Sequence, residues 1–294
     1  KMKKLFDLTI IGSGMIGSYS LLNIIKKYSN YKICFISDNR NKISASAAAG
    51  AMLNVFGEID YDKHMDNYQQ RKIDIGIRAQ DKWKNFIKNN LNYKKTYTAN
   101  DTIIFKSRNA TSLEKNCFKT IKKWNSKFNK EDKNLNKKIK YFKKNVSQIN
   151  SPIDDLIGIP NEGAIDTNEF FKIFDKNIQN NKKIIINKTK VLKIEKNFNF
   201  YKIYCQDNII SSKKVIVAAG SDSINICSNL KSKIIPTYYG VGTAFVTKPK
   251  NKEFNILPKN TVLRSPNRGS TCGIHVVPRN DNTYYIGAGS FISK

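Results

Sequence analysis

The chain has 294 residues, 40% of them hydrophobic, and a formal charge of +29 from 52 Lys and Arg against 23 Asp and Glu. That length and apolar content suit one large or two ordinary globular domains and exclude a disordered chain. Five scattered cysteines without C-x-x-C spacing exclude a disulfide framework and a zinc site and point to a reducing compartment, taken as the cytoplasm. With His64 and His275 as the only histidines, no metal centre is expected. The excess charge is open to two readings: an attraction to nucleic acid, anionic membrane or acidic substrate, or a solvated surface in a chain rich in Lys, Asn and Ile throughout.

Residues Phe6 to Ile11 read as a buried strand, and Met15 to Tyr28 as a helix with Ile16, Leu21, Leu22 and Ile25 inward. Tyr31 to Ser37 reads as a second strand, ending in Asp38. Between the first strand and the helix lies Gly12-x-Gly14-x-x-Gly17. Gly12 suits a tight turn, Gly14 the approach of backbone to a pyrophosphate, and Gly17 close packing of helix on strand. The first helical turn adds free N–H groups and a positive dipole end. Asp38 follows Gly17 by 21 residues, the spacing at which a carboxylate reaches ribose hydroxyls. The basic start and apolar run to Leu22 also have the outline of a signal peptide, but Asp7 and the Gly-Ser-Gly break interrupt it. No run reaches about 18 residues free of both charge and glycine clusters, so no transmembrane helix is expected.

Next, "NKISASAAAGAMLNVFGE" (Asn41 to Glu58) has no clear period. Its small residues suit backbone lying against a flat ligand, or a helix start capped by Ser44 or Ser46. Met65 to Leu91 reads as a long helix with Tyr68, Ile75, Ala79, Trp83, Phe86 and Ile87 as its buried stripe, followed by a strand from Thr96 to Lys106. Lys106 to Lys144 holds fourteen Lys or Arg against Glu114, Glu131 and Asp132. Leu113, Cys117, Ile121, Trp124 and Phe128 recur there at helical spacing, so one face packs and the basic face is either solvated or an anion surface. Asn145 to Asn161, with Pro152 and Pro160, is expected as a loop and domain boundary. Asp166 with Glu169 has capping-box spacing and opens a helix from Thr167 to Asn180. Strands are expected at Lys183 to Asn187, Val191 to Glu195, Phe200 to Cys205, Lys214 to Ala218, Ile234 to Thr247, Thr261 to Arg264, Ile274 to Val277 and Thr283 to Ala288.

Several segments between Phe6 and Ser290 resemble, in order, the family of FAD-dependent amine and amino-acid oxidoreductases that includes glycine oxidase, sarcosine oxidase and D-amino acid oxidase. "SASAAAGAML" resembles the Ser/Ala/Gly loop that runs beside the flavin, and "EGAIDTNEFF" the Gly-x-Val-Asp-Pro entry from strand to helix. "VIVAAGSDS" resembles the Val-x-Ala-x-Gly segment, and "HVVPRNDNTYYIGAGS" the Val-Pro-Arg hairpin. The resemblance implies an α/β fold: a Rossmann-like FAD-binding domain of parallel sheet plus β-meander (1–92 and 150–229), and a discontinuous α+β substrate domain on an antiparallel sheet (93–149 and 230–294). It further implies that Gly12, Gly14, Met15, Ile16 and Gly17 hold the pyrophosphate, with Asp38 and the adjacent Asn39 at the adenosine ribose. Ser44, Ala45, Ser46, Ala49, Gly50 and Ala51 would lie near the flavin or its phosphates, Val191 would meet adenine through its backbone, and Ala219 and Gly220 would border the cofactor.

His275 falls where members often carry a tyrosine facing the substrate, so it is a candidate substrate contact, against the plainer reading of a surface strand histidine. Arg264, Arg268 and Arg279 are candidate carboxylate anchors, or else loop and surface arginines. No catalytic residue is assigned. The chain departs from the family at Tyr239-Gly240, where an Arg-Gly pair is usual, and members continue past this hairpin with a Gly-x-Arg-Pro motif and a glycine-rich stretch, so a piece of a longer reading frame is expected. The implied reaction is oxidation of the C–N bond of an amino acid or related amine by hydride transfer to flavin, with no dedicated general base. Three other readings stay open: a modified transfer-RNA base as substrate, which the charge would suit, a non-catalytic nucleotide- or anion-binding remnant, and NAD in place of FAD. The oligomeric state is not indicated.

Overall fold

A computed structural model describes residues 5–38, 44–60, 66–148, 152–230, 239–249, 257–268 and 272–293. In chain order the elements are β1 (Leu5–Phe6), β2 (Leu8–Ile11), α1 (Met15–Lys27), β3 (Ile33–Ile36), α2 (Ala45–Ala48), α3 (Asp66–Asn89), β4 (Tyr97–Ser107), α4 (Ser112–Phe128), α5 (Lys133–Gln148), β5 (Ile153–Ile165) and α6 (Thr167–Gln179). There follow β6 (Ile184–Asn187), β7 (Val191–Lys196), β8 (Tyr201–Cys205), β9 (Ile209–Ser212), β10 (Val215–Val217), α7 (Ser223–Cys227), β11 (Tyr239–Thr247), β12 (Thr261–Arg264), β13 (His275–Pro278) and β14 (Tyr284–Ser293). The chain divides into two compact units, Lys1–Ala49 with Phe171–Tyr239, and Gly50–Phe170 with Gly240–Ser293. It therefore changes unit after residues 49, 170 and 239, where the sequence suggested 92, 149 and 229.

The first unit holds a parallel sheet in the order β10-β2-β3-β6 and a second sheet in the order β1-β9-β8-β7. Every residue of β2 and β3 is buried, which is why both read as unbroken apolar runs. The sequence suggested one strand from Phe6 to Ile11, but Asp7 splits it. Its carboxylate accepts the Lys32 N–H at 3.0 Å and pairs with Lys213 at 2.8 Å, so β1 runs beside β9 of the meander while β2 joins the parallel sheet. Strand β9 was not anticipated. Phe6, Ile11, Ile36, Val191, Ile194, Ile203 and Ile226 share one core. In α1 the buried stripe is Gly17, Ser18, Leu21 and Leu22. Ile16 lies off that stripe and is 74% exposed, contrary to its expected inward position, and Ile25 is half-buried.

The second unit is built on a six-stranded sheet in the order β11-β14-β13-β12-β4-β5, in which β12 runs parallel to β4 while β4–β5, β12–β13 and β13–β14 are antiparallel. The expected loop across Pro152 and Pro160 is instead the end of α5 and the thirteen-residue edge strand β5. An edge strand needs only half its backbone donors, so it accepts Pro160. The basic segment forms two helices, not one, because Asp132 accepts the N–H groups of Asn134 and Leu135 and starts α5 afresh. Cys117, Phe118 and Ile121 of α4 pack with Phe56, Ile59, Ile73, Ile104 and Ile159, while Leu113 and Phe128, expected inward, are exposed. In α3 the buried face is Gln69, Ile73, Phe86 and Ile87, with Gly76 against Val55, and Tyr68, Ile75 and Ala79 are exposed. Phe86 and Ile87 are buried as expected and Trp83 stacks on Phe86, but in the earlier turns the expected stripe was one residue, about 100°, round the helix, because the true face there carries a Gln and a Gly where hydrophobicity gives no signal.

Candidate functional site

In the first unit β2 ends at Ile11 and the chain turns at Gly12, whose φ is +102°. A Cβ at Gly12 would stand 2.2 Å from the Ala218 carbonyl oxygen, and one at Gly17 would stand 1.9 Å from the Gly12 carbonyl oxygen. Turn, helix start and the end of β10 are therefore in backbone contact that only glycine permits. Gly14 is the N-cap of α1 and has no side chain to cap it; a Cβ there would meet Ser46 Oγ at 3.0 Å. The same hydroxyl accepts the Met15 N–H at 3.1 Å. The first turn of α1 holds no acid and its last turn holds Lys26 and Lys27, so the positive end of the helix dipole lies at the glycine turn. Bare backbone, helix-start N–H groups and no competing anion fit a dinucleotide pyrophosphate.

The turn also sits where the strand order reverses. From β2 the chain goes to β3 and β6 on one side and returns to β10 on the other, which is where open parallel sheets offer a crevice at their carboxyl ends. Asp38 is exposed two residues beyond β3, while Asn39 lies outside the described residues. Past β10, Gly220 has φ +60° and open space about its α-carbon, and Ala219 is the N-cap of the turn Gly220–Asp222. The Val191 side chain is in the core, and Val191 opens β7 opposite Cys205 of β8. Ser44 accepts the Ala47 N–H at 3.1 Å, so it does cap the short helix α2, of which Ala45 and Ser46 form the first turn and Ala49 the C-cap.

The second unit begins at Gly50, packed so closely that a Cβ would lie 2.8 Å from the Tyr285 ring. Ala51 has φ +50°, a left-handed conformation unusual for alanine. Its carbonyl accepts the Ile165 N–H at 3.1 Å, and Leu53 N–H donates to the Gly163 carbonyl at 2.8 Å. Farther along, the Glu162 carboxylate accepts the N–H groups of Val55, Phe56 and Gly57 at 2.8, 2.5 and 3.2 Å. Burial pushes the Glu162 carboxyl up to about 7, against the pull of those N–H groups and of Arg264.

Arg264 corrects an expectation. It is no surface arginine: it ends β12 and is fully buried, donating to Glu58 at 2.5 Å and to Asn267 at 2.7 Å. Asn267 donates in turn to Asp60 at 3.0 Å, and Lys72 pairs with Asp60 at 3.2 Å. Although burial works against its charge, Glu58 is held below the usual carboxylate range by the guanidinium. Arg268 pairs with Glu114 at 2.8 Å, and the Arg279 guanidinium lies 5.5 Å from the centre of the Tyr285 ring. His275 is half-buried, not a surface histidine. It stacks on Tyr285 at 5.8 Å, its Nδ1 lies 3.1 Å from the Gly273 carbonyl, and burial lowers its pKa, favouring the neutral ring. Glu58, Glu162 and Asn267 were not singled out from the sequence. Nothing about an isolated Glu or Asn announces that it will meet a buried guanidinium or three backbone donors from distant segments.

A family model described as FAD dependent oxidoreductase matches residues 7–293. Among solved structures, the chain is similar to glycine oxidase from Geobacillus kaustophilus, with a TM-score of 0.74 at 13% identity over 98% of this chain and 72% of that one. It is similar to iminodiacetate oxidase from Chelativorans sp. BNC1, with a TM-score of 0.67 at 13% identity over 98% and 72%. L-proline dehydrogenase from P. horikoshii gives a TM-score of 0.66 at 14% identity over 99% and 71%. No sequence among the curated proteins matches it. No helix among the described residues is long and apolar enough to cross a membrane.

Proposed function

Because the chain belongs to the FAD-dependent oxidoreductase family, matched from residue 7 to 293, we propose that it oxidises the C–N bond of a small amino acid or related amine. The observation that carries the reading is the glycine turn of the first unit, where backbone contacts at Gly12 and Gly17 leave no room for side chains. FAD, when bound, supplies the hydride acceptor. The chain's own part is to bind and orient. The backbone of Gly12, Gly14, Met15, Ile16 and Gly17 receives the pyrophosphate, and Asp38 accepts hydrogen bonds from ribose hydroxyls. The Val191 backbone meets the adenine, and Ala219 and Gly220 lie along the cofactor. Ser44, Ala45, Ser46, Ala49, Gly50 and Ala51 serve the phosphates and the flavin.

The choice of a small amine rests on the relatives, which are named for glycine, iminodiacetate and L-proline. His275, neutral and half-buried against Tyr285, is our candidate for the substrate-facing side chain. The test is the visible spectrum of the purified chain with and without added FAD, followed by anaerobic addition of glycine, sarcosine and D-amino acids. Flavin bands near about 370 and about 450 nm that bleach with one of these amines are expected. A bound flavin that no amine bleaches would overturn the substrate, and no flavin uptake would overturn the site.

A further inference from the structure

One carboxylate holds the segment that opens the second unit. Strand β5 bulges between Pro160, opposite Asp101, and Ala164, opposite Ala99, and Asn161 enters the bulge with φ +63°. Glu162 stands in this bulge with no exposed surface, and its own carbonyl is held by the Thr102 hydroxyl at 2.7 Å. Its Oε1 accepts from Val55 and Phe56, and its Oε2 from Gly57. Just before these residues, Met52 bridges to Ala164, and Ala51 and Leu53 bond to Ile165 and Gly163. The stretch from Ala51 to Gly57 is thus fastened along 162–165. Its next residue is Glu58, the partner of the buried Arg264.

Three converging N–H donors need acceptors on both oxygens of one side chain, which a carboxylate offers and an amide does not. We infer that Glu162 is a positioning residue for the cofactor, fixing the backbone from Gly50 to Gly57 in the shape that receives the flavin; this rests on the cofactor reading above. The charged groups around it are few. On β12, Arg264 favours the carboxylate; on the turn Phe56–Glu58, Glu58 is engaged with that same guanidinium; and on β4, Asp101 is engaged with Lys138.

The experiment compares the wild-type chain with Glu162→Gln, measuring FAD affinity by flavin fluorescence and amide hydrogen exchange of the Val55–Gly57 segment without FAD, both at about pH 8. Expected are a roughly tenfold weaker FAD affinity for the variant, the scale of one lost charged hydrogen bond, and faster exchange of the segment. Should Glu162→Gln fail to fold, Glu162→Asp, which keeps the charge and shortens its reach, carries the same inference through weaker affinity with faster exchange, and wild-type values in it overturn the inference. Equal affinities of Glu162→Gln and wild type, with only the melting temperature changed, would overturn it and leave the cofactor reading standing. A wild-type chain that takes up no FAD removes both.

Discussion

Arg264 and Glu58 form an ion pair whose two ends differ in solvent access: the guanidinium side chain is 0% exposed and the carboxylate 33%. Removing either partner strands the other, and the cost depends on whether the stranded charge can find water. Glu58→Ala is expected to lower stability by about 3 kcal/mol, because the guanidinium loses its ion-pair partner and, among the described residues, keeps hydrogen bonds to Asn267 and, at longer range, to the Ser265 carbonyl. Arg264→Met is expected to cost less, about 1 to 2 kcal/mol, since it leaves a carboxylate that water reaches and fills the site with an apolar chain. Urea unfolding of the two variants checks the order, and the reverse order would mean that the guanidinium acts mainly through packing. Glu162 adds a pH dependence. Its folded pKa of about 7 lies above the ordinary 4.5, so between those values the folded chain keeps a proton that the unfolded chain has released. Its contribution to stability therefore falls as pH rises from about 4.5 to about 7. In Glu162→Gln this part of the pH profile of the melting temperature should flatten; an unchanged slope would place the titration elsewhere.

At the scale of elements, the caps can be weighed individually. Thr111 caps α4 by accepting the Glu114 N–H at 3.2 Å, and Glu114 returns a bond from the Thr111 N–H at 2.8 Å, a complete capping box. Thr111→Ala should cost about 1 kcal/mol. Glu114→Ala should cost more, since Glu114 is buried and also holds Arg268. Denaturant midpoints test the ranking. The bulge in β5 is stricter: a Cβ on Gly163 would lie 1.9 Å from the Ala99 carbonyl oxygen. Gly163→Ala should therefore break the β4–β5 register and cost several times as much as the loss of a cap, about 3 kcal/mol or more. How much of this was legible depended on whether the signal was local. The glycine turn, the strand–helix–strand order about it, the Asp166 cap of α6 and strand β12 all follow from patterns within one contiguous segment each. Asp166 does accept the Asn168 and Glu169 N–H groups at 2.9 and 3.1 Å. The part of β5 before Glu162 was misread because its prolines signal a loop unless the strand is known to lie at a sheet edge. Phe86 and Ile87 of α3 and Cys117 and Ile121 of α4 are buried as read, whereas the earlier turns of both faces were misread because Gln69, Gly76 and Glu114 occupy inward positions that hydrophobicity does not mark.

Over the whole molecule, the charge balance of +29 is the term that local contacts do not remove. Helices α4 and α5 carry eleven lysines and a single acid, Glu114, which is buried and already paired. Some lysines are matched, as Lys106 with Asp154 and Lys138 with Asp101, but 23 acids cannot neutralise 52 basic residues. Like charges crowded on a folded surface repel more than on an expanded chain, so the folded state carries a penalty that salt should relieve. The screening length falls from about 30 Å at about 0.01 M salt to about 8 Å at about 0.15 M. The melting temperature is accordingly expected to rise by several degrees when sodium chloride increases over that range; chloride is the right anion because sulfate also strengthens apolar burial. A fall instead would mean that the surface ion pairs outweigh the repulsion. The same series separates the two readings of the basic helices. If their lysines are simply solvated, a polyanion such as heparin adds no more stability than its ionic strength explains. If they form an anion surface, heparin stabilises strongly at low salt, and reversing Lys119, Lys123, Lys140 and Lys144 to Glu abolishes that gain while the response to sodium chloride shrinks only in proportion to the charge removed.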